Sequence, residues 1–168
     1  MLLDNYYKWR GGIQAYSHLN YGLRDIGLLD MDGNACYVYF NTTANSSFKS
    51  YAFDGTLGMK LGGTATSISG SDYSITDEIT SNFTLRATGS YNEYSTMDGK
   101  LTRYVRAMYY NGSDTDQTIR QIGLTKNVIN TRNNTSKPVL FVKYNLENSI
   151  TVKSGDSVCL VATLTDSN

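Results

Sequence analysis

The segment Val158-Cys159-Leu160-Val161-Ala162-Thr163-Leu164 carries the plainest β character in the chain. Val158, Val161 and Thr163 are β-branched, which stiffens the side chain and favours extended backbone. Alternation puts Val158, Leu160, Ala162 and Leu164 on one face and Cys159, Val161 and Thr163 on the other. Both faces are largely apolar, so the segment reads as a strand that is either central in a sandwich or covered by a partner subunit. Ile150-Thr151-Val152-Lys153 lies just before it. The link, Ser154-Gly155-Asp156, suits a tight hairpin in which Gly supplies positive φ.

The same reading extends towards the N-terminus. Pro138 opens Val139-Leu140-Phe141-Val142-Lys143-Tyr144, a buried strand by its apolar density. Val128 to Lys137 reads as a polar loop, and Thr118 to Leu124 as a strand. Leu101 to Asn111 is a long strand with Thr102, Tyr104, Arg106, Met108 and Tyr110 on one face. Leu101, Val105 and Tyr109 share the other with Arg103. Ser81 to Thr88 places Phe83, Leu85 and Ala87 together. Met59 to Gly63, Phe48 to Phe53 and Cys36 to Phe40 complete the strands, and Asp72 to Thr76 follows a loop from Thr64 to Ser71. Asp54-Gly55, Asp98-Gly99 and Asn111-Gly112 mark turns. Short strands at roughly 8–12-residue spacing predict an all-β fold, an antiparallel β-sandwich or jelly-roll-like barrel. Residues 1–20 are expected to form an N-terminal arm or short helix, and residues 21–168 one β-sandwich domain.

The totals agree with one module. The chain has 168 residues, enough for a single core. Fifteen basic and fifteen acidic side chains cancel, so no global charge draws it to nucleic acid or an anionic membrane. Charged residues are 18%, below the roughly 25% usual in soluble domains. Fourteen Tyr suit half-buried strand faces and interfaces. Met1-Leu2-Leu3-Asp4 lacks the basic and apolar regions of a signal peptide, and no apolar run approaches the ~20 residues of a membrane-spanning helix. The Asn-x-Ser/Thr triplets therefore read as by-products of Asn-rich turns.

Reactive groups are sparse. His18 is the single histidine, in the N-terminal segment, and no G-x-S-x-G elbow accompanies it. Cys36 and Cys159 are expected to be buried free thiols rather than a disulfide or zinc pair. Asp72, Asp77, Glu78, Glu93 and Asp98 lie at or near turns and select no acid–base pair. Gly58 to Gly63 lacks the G-K-[S/T] ending of a phosphate loop. Asp30, Asp32 and Asn34 alternate like the start of a calcium loop, but the Gly is misplaced and the closing Glu is absent, so a turn is expected. The chain is accordingly read as no enzyme, with no catalytic residue, cofactor or metal.

Several stretches resemble small structural proteins of tailed bacteriophage virions, the β-sandwich proteins associated with head, neck or tail. They are Asn5-Tyr6-Tyr7-Lys8-Trp9; Met59 to Thr66 running into Asp72-Tyr73-Ser74-Ile75; Thr118 to Leu124; and Val139 to Tyr144 followed by Ile150 to Val158. Gln121 stands where the family pattern usually has Glu, and Lys143 where it often has Arg. The resemblance implies a virion location and other virion proteins as partners.

The function expected is therefore structural: capsid decoration, neck or tail assembly by protein–protein packing, as a homo-oligomer in a symmetric assembly. No specific nucleic acid and no membrane are expected as partners. The alternative is a carbohydrate- or receptor-binding module of a phage fibre or tail tip. Tyr6, Tyr7 and Trp9 are the expected interface residues, because an aromatic arm outside the β region would have little core of its own to enter. On that reading, removing residues 1–10 leaves the β domain folded.

Overall fold

Alternating apolar residues and Gly/Asn/Asp turns produce antiparallel strands throughout the computed structural model, which describes residues 1–9, 11, 25–39, 57–94 and 101–166. His18, Phe40, Asn41, the Phe48–Phe53 strand and the Asp54-Gly55 and Asp98-Gly99 turns lie outside the described residues. The described strands are β1 (Asp25–Leu29), β2 (Ala35–Tyr39), β3 (Leu57–Gly62), β4 (Phe83–Tyr94), β5 (Leu101–Asn111), β6 (Gln117–Asn130), β7 (Thr135–Val152) and β8 (Ser157–Asp166). They form a β1-β2 hairpin and two three-stranded sheets, ordered β3-β6-β7 and β4-β5-β8. All pairings are antiparallel. The all-β class expected from the sequence is the class observed.

One apolar cluster takes residues from all three sheets. Met59, Leu61, Leu124 and Phe141 come from the first sheet, Val105, Ala107, Tyr109 and Leu160 from the second, and Leu28, Cys36 and Val38 from the hairpin. The Tyr109 hydroxyl donates to the Met59 carbonyl and so ties β5 to β3. Burial of its ring, and then the negative charge of Glu78, push the Tyr109 phenol up to about 12.

β7 changes phase halfway along. Register shifts between Leu124 and Thr125, which pair with Val142 and Leu140. Phe141 is thus the extra residue of a bulge, and a bulge reverses the side on which alternate residues fall. Val139 and Phe141 precede it, and Val142 follows, all in the main cluster. Lys143 and Asn145 then point to the other side of the sheet, where the connection from β3 to β4 crosses. Pro138 lies in β7, an edge strand, where a missing N–H is tolerated.

That connection, residues 63–82, is a strap with no named strand of its own. The Gln121 side chain, fully buried, accepts from Thr76 N (3.1 Å) and donates to Asn145 Oδ1 (2.8 Å). Asn145 Nδ2 donates to Thr66 O at 2.7 Å, and Lys143 Nζ to Asp72 Oδ2 at 2.9 Å. Gln121 and Lys143 therefore each hold the strap. Beneath it Ile75 and Leu140 join Leu3 in a second cluster.

Three sequence expectations are corrected, and one strand is new. Val128 to Lys137 is not a loop: β6 continues to Asn130 and β7 begins at Thr135, with Asn134 turning at φ 54°. Buried Asn130 closes that turn by accepting from Arg132 N at 3.2 Å. Ala87 does not share the side of Phe83 and Leu85, because a bulge between Leu85 and Ala87 breaks the alternation; Leu85, on the Phe83 side, is itself exposed. Asp25 to Leu29 forms a strand that its polar and glycine content concealed. Asp30 to Asn34 is the turn after it: buried Asp30 accepts from Asp32 N and Asn34 N, and Gly33 has φ 81°. Finally, only Cys36 is buried, and Cys159 is exposed; both are free thiols. Burial, with the charge of Asp30 and against that of Lys137, raises the Cys36 thiol.

Candidate interaction surface

The aromatic N-terminal segment enters the core. Residues 4–9 are helical, which selects the short helix over the extended arm. Leu2 bridges to Val142, and Leu3 N donates to Phe141 O at 2.9 Å, so the chain start covers part of the β7 edge. Buried Asn5 clamps the helix by donating to Leu29 O and Leu140 O and accepting from Leu29 N. Tyr6 and Trp9 are 1% and 4% exposed, against 57% for Tyr7. Trp9 tilts over Phe141 with centroids 5.8 Å apart, and Lys126 Nζ lies 5.2 Å from the Trp9 ring centre. The premise that this segment has no core to enter is thus corrected. The i, i+3 spacing of Leu3, Tyr6 and Trp9, one face of a helix, was the signal for it.

An exposed surface lies on the outer side of β4-β5-β8. Val105, Ala107 and Tyr109 of β5 point into the core. Alternation turns Tyr104, Arg106, Met108 and Tyr110 the other way. Opposite them in register stand Thr163, Val161, Cys159 and Ser157 of β8. Arg106 and Cys159 are exposed, Val161 is 56% exposed, and the three large β5 neighbours are half-buried. Arg106 Nε donates to Cys159 Sγ at 3.1 Å. Arg86, released from the ladder by the β4 bulge, stacks over Tyr110 at 4.8 Å.

Sequence alternation separated these two β5 faces correctly. It did not tell which was outward, because Arg103 sat in the apolar set. Ala107 is the informative residue: a small apolar side chain at the middle of a strand fits between packed layers. β8 is a sheet edge and so not central, and its outward Cys159, Val161 and Thr163 are exposed among the described residues.

Beside the β8 edge a groove of about 540 Å³ runs between Met1, Leu2, Val142 and Tyr144 on one side and Val161 and Leu164 on the other. Its lining is mostly apolar, and Val161 is shared with the outer sheet face. Among the described residues no group of three or more His, Cys, Asp or Glu is placed to hold a metal ion. Asp72 pairs with Lys143, Glu78 with Lys60 at 2.7 Å, and Asp77 accepts from Thr64, so these three of the five carboxylates considered for acid–base work serve the strap; Asp98 and the Glu93 side chain lie outside the described residues. No helix among the described residues is long and apolar enough to cross a membrane. No protein-family model, curated protein or solved structure matches the chain.

Proposed function

We propose that this chain is a structural subunit of a tailed-phage virion, a capsid-decoration, neck or tail protein that acts by packing against other protein subunits. In this reading its two three-stranded sheets stack as a β-sandwich through the shared apolar cluster. The observation that carries the proposal is the β4-β5-β8 face, which no described residue covers. It combines Tyr, Arg and Met with an exposed Val, the residue types enriched at protein interfaces and unfavourable to leave in water as a patch. A near-neutral chain also resists close packing of copies weakly. The sequence resemblance to virion proteins points the same way.

The test places a charge at the centre of the face. Val161→Glu is a surface change expected to shift stability by no more than ~0.5 kcal/mol, yet it should strongly reduce incorporation into particles. Mass spectrometry of purified particles would measure copy number, and circular dichroism would verify the fold. Undiminished incorporation of the folded variant would reject the face as the packing surface. Absence of the unaltered chain from particles, with binding of the isolated protein to a glycan array, would favour the carbohydrate- or receptor-binding module, whose sugars could stack on Tyr104 and Tyr110.

A further inference from the structure

The two three-stranded sheets do not stop at the same place. β3 lies against both β4 and β5, so the opposed sheets are out of step and β7 reaches past β8. The groove of about 540 Å³ lies there, with Ile122, Tyr144 and Leu146 on one side and Ala162 and Leu164 on the other. All but Tyr144 pack against the main apolar cluster. Tyr144 stands two residues after Val142 and so on the same side of β7. It points inward, yet it is 47% exposed, because no described strand lies over it.

β8 bounds the groove and is an edge: among the described strands only β5 pairs with it. Alternate N–H and C=O groups of an edge strand point away from its neighbour and are free to take another strand. Edges are ordinarily blunted by a charge, a proline, a bulge or a cover. From Val158 to Leu164, β8 has no charged residue and no proline. Its register with β5 runs from Tyr109↔Val158 to Arg103↔Leu164 without a shift. Val161, at the middle of that run, is 56% exposed, so its side chain has no cover either.

The same run is matched to its own reverse. Laid antiparallel on itself about Val161, it sets Leu160 opposite Ala162 and Val158 opposite Leu164 on the inward side. Cys159 then meets Thr163 on the outward side, and no like charges are opposed. The strand so added carries an apolar inward face, which falls over Tyr144 and Leu146. Extending the sheet and filling the groove are therefore one event.

We infer that β8 pairs edge to edge with β8 of a second copy of this chain, antiparallel about Val161, so that the two copies share one continuous sheet and close each other's grooves. The inference rests on the packing reading above and names the partner at the edge of that surface. A second copy is favoured over an unrelated strand because β8 supplies both halves of every pair. The contact is isologous and closes at a dimer. A strand pair alone is narrow beside the roughly 1,200–2,000 Å² of a stable interface; the cover over Tyr144 and Leu146 supplies the second layer.

The test is sedimentation velocity on the full chain, with circular dichroism to verify each variant's fold. The unaltered chain is expected to be dimeric. Val161→Glu and Val161→Lys each set like charges directly opposite across the two-fold axis, and each alone should sediment as a monomer. Mixed in equal amounts they should recover the dimer, because Glu then faces Lys. Tyr144→Asp, on the other sheet, should also lose the dimer. Ala87→Glu, on the outer side of β4 and away from the edge, should keep it. A monomeric unaltered chain at every concentration, a dimer of either Val161 variant alone, no recovery on mixing, an undiminished Tyr144→Asp dimer, or loss with Ala87→Glu would overturn the inference. Particle incorporation separates the two levels. A monomeric unaltered chain whose incorporation falls with Val161→Glu sinks the dimer and keeps the packing reading. Dimers in solution, with undiminished incorporation of every variant, sink the packing reading and keep the dimer.

Discussion

Gly123 shows how closely single atoms are fitted. A Cβ built there would lie 2.4 Å from Ile75 Cδ1 and 2.6 Å from Leu140 Cδ1, well inside van der Waals contact. Ile75 is thus able to press the strap onto β6 because position 123 has no side chain. Ala would reduce the freedom of the unfolded chain and so favour folding by ~0.4–1 kcal/mol. Overpacking a buried site costs ~1–3 kcal/mol, so the clash is the larger effect. Gly123→Ala is expected to lower the urea-unfolding free energy by that net difference. Its cost should fall by at least ~0.5 kcal/mol in an Ile75→Ala background, as a coupled pair requires. Equal costs in both backgrounds would show that Ile75 does not set the constraint. The sequence made Gly123 legible as a place of close backbone approach, since a Gly inside a strand commonly marks a bend or a near neighbour. It could not name Ile75, which arrives from a segment 48 residues earlier in the chain. Tyr6 and Trp9 were misplaced for the converse reason: their aromatic rings looked unassigned only because β7, their partner, lies more than a hundred residues on.

At the scale of elements, the strands with strict alternation were the easiest to read. β5 was found with its bounds and both faces, and β8 with its inward set. Strands carrying a bulge were not, because one extra residue at Phe141 or Arg86 inverts every later assignment. The strap was hidden for another reason. Its fixed course comes from polar side chains of distant strands and not from any period of its own. Gln121 is the hinge of that arrangement, with one amide serving both Thr76 N and Asn145 Oδ1. Gln121→Leu keeps much of the volume but leaves those two groups without their partner, and a buried orphan costs ~1–3 kcal/mol. Hydrogen exchange should therefore quicken at Thr76 and along the strap, while β5 and β8 amides keep their protection. Unchanged exchange at Thr76 would mean that the strap is held by Lys143–Asp72 and its apolar contacts alone.

At the scale of the molecule, the short helix, the hairpin and both sheets meet in one apolar cluster. Elements that share one core gain most of their burial together and so should be lost together. The N-terminal segment is the sharpest case. Leu3 and Tyr6 are almost completely buried, and Trp9 is 4% exposed, so this segment is part of the folding unit rather than a removable arm. Removing residues 1–9 would strip the β7 edge at Phe141–Lys143 and uncover Phe141 itself. Replacing a buried large aromatic with Ala costs ~3–5 kcal/mol, a large share of the ~5–15 kcal/mol that holds a typical domain together. Trp9→Ala alone should therefore bring the protein close to unfolding. Because Trp9 is the single tryptophan, its fluorescence reports directly on the docking of the helix against Phe141. Sheet content is read separately by far-ultraviolet circular dichroism. Both signals should pass through their midpoint at the same denaturant concentration. A fluorescence transition that precedes the loss of sheet signal would mean that the helix docks as an independent piece, and the β sheets would then have to be stable without it.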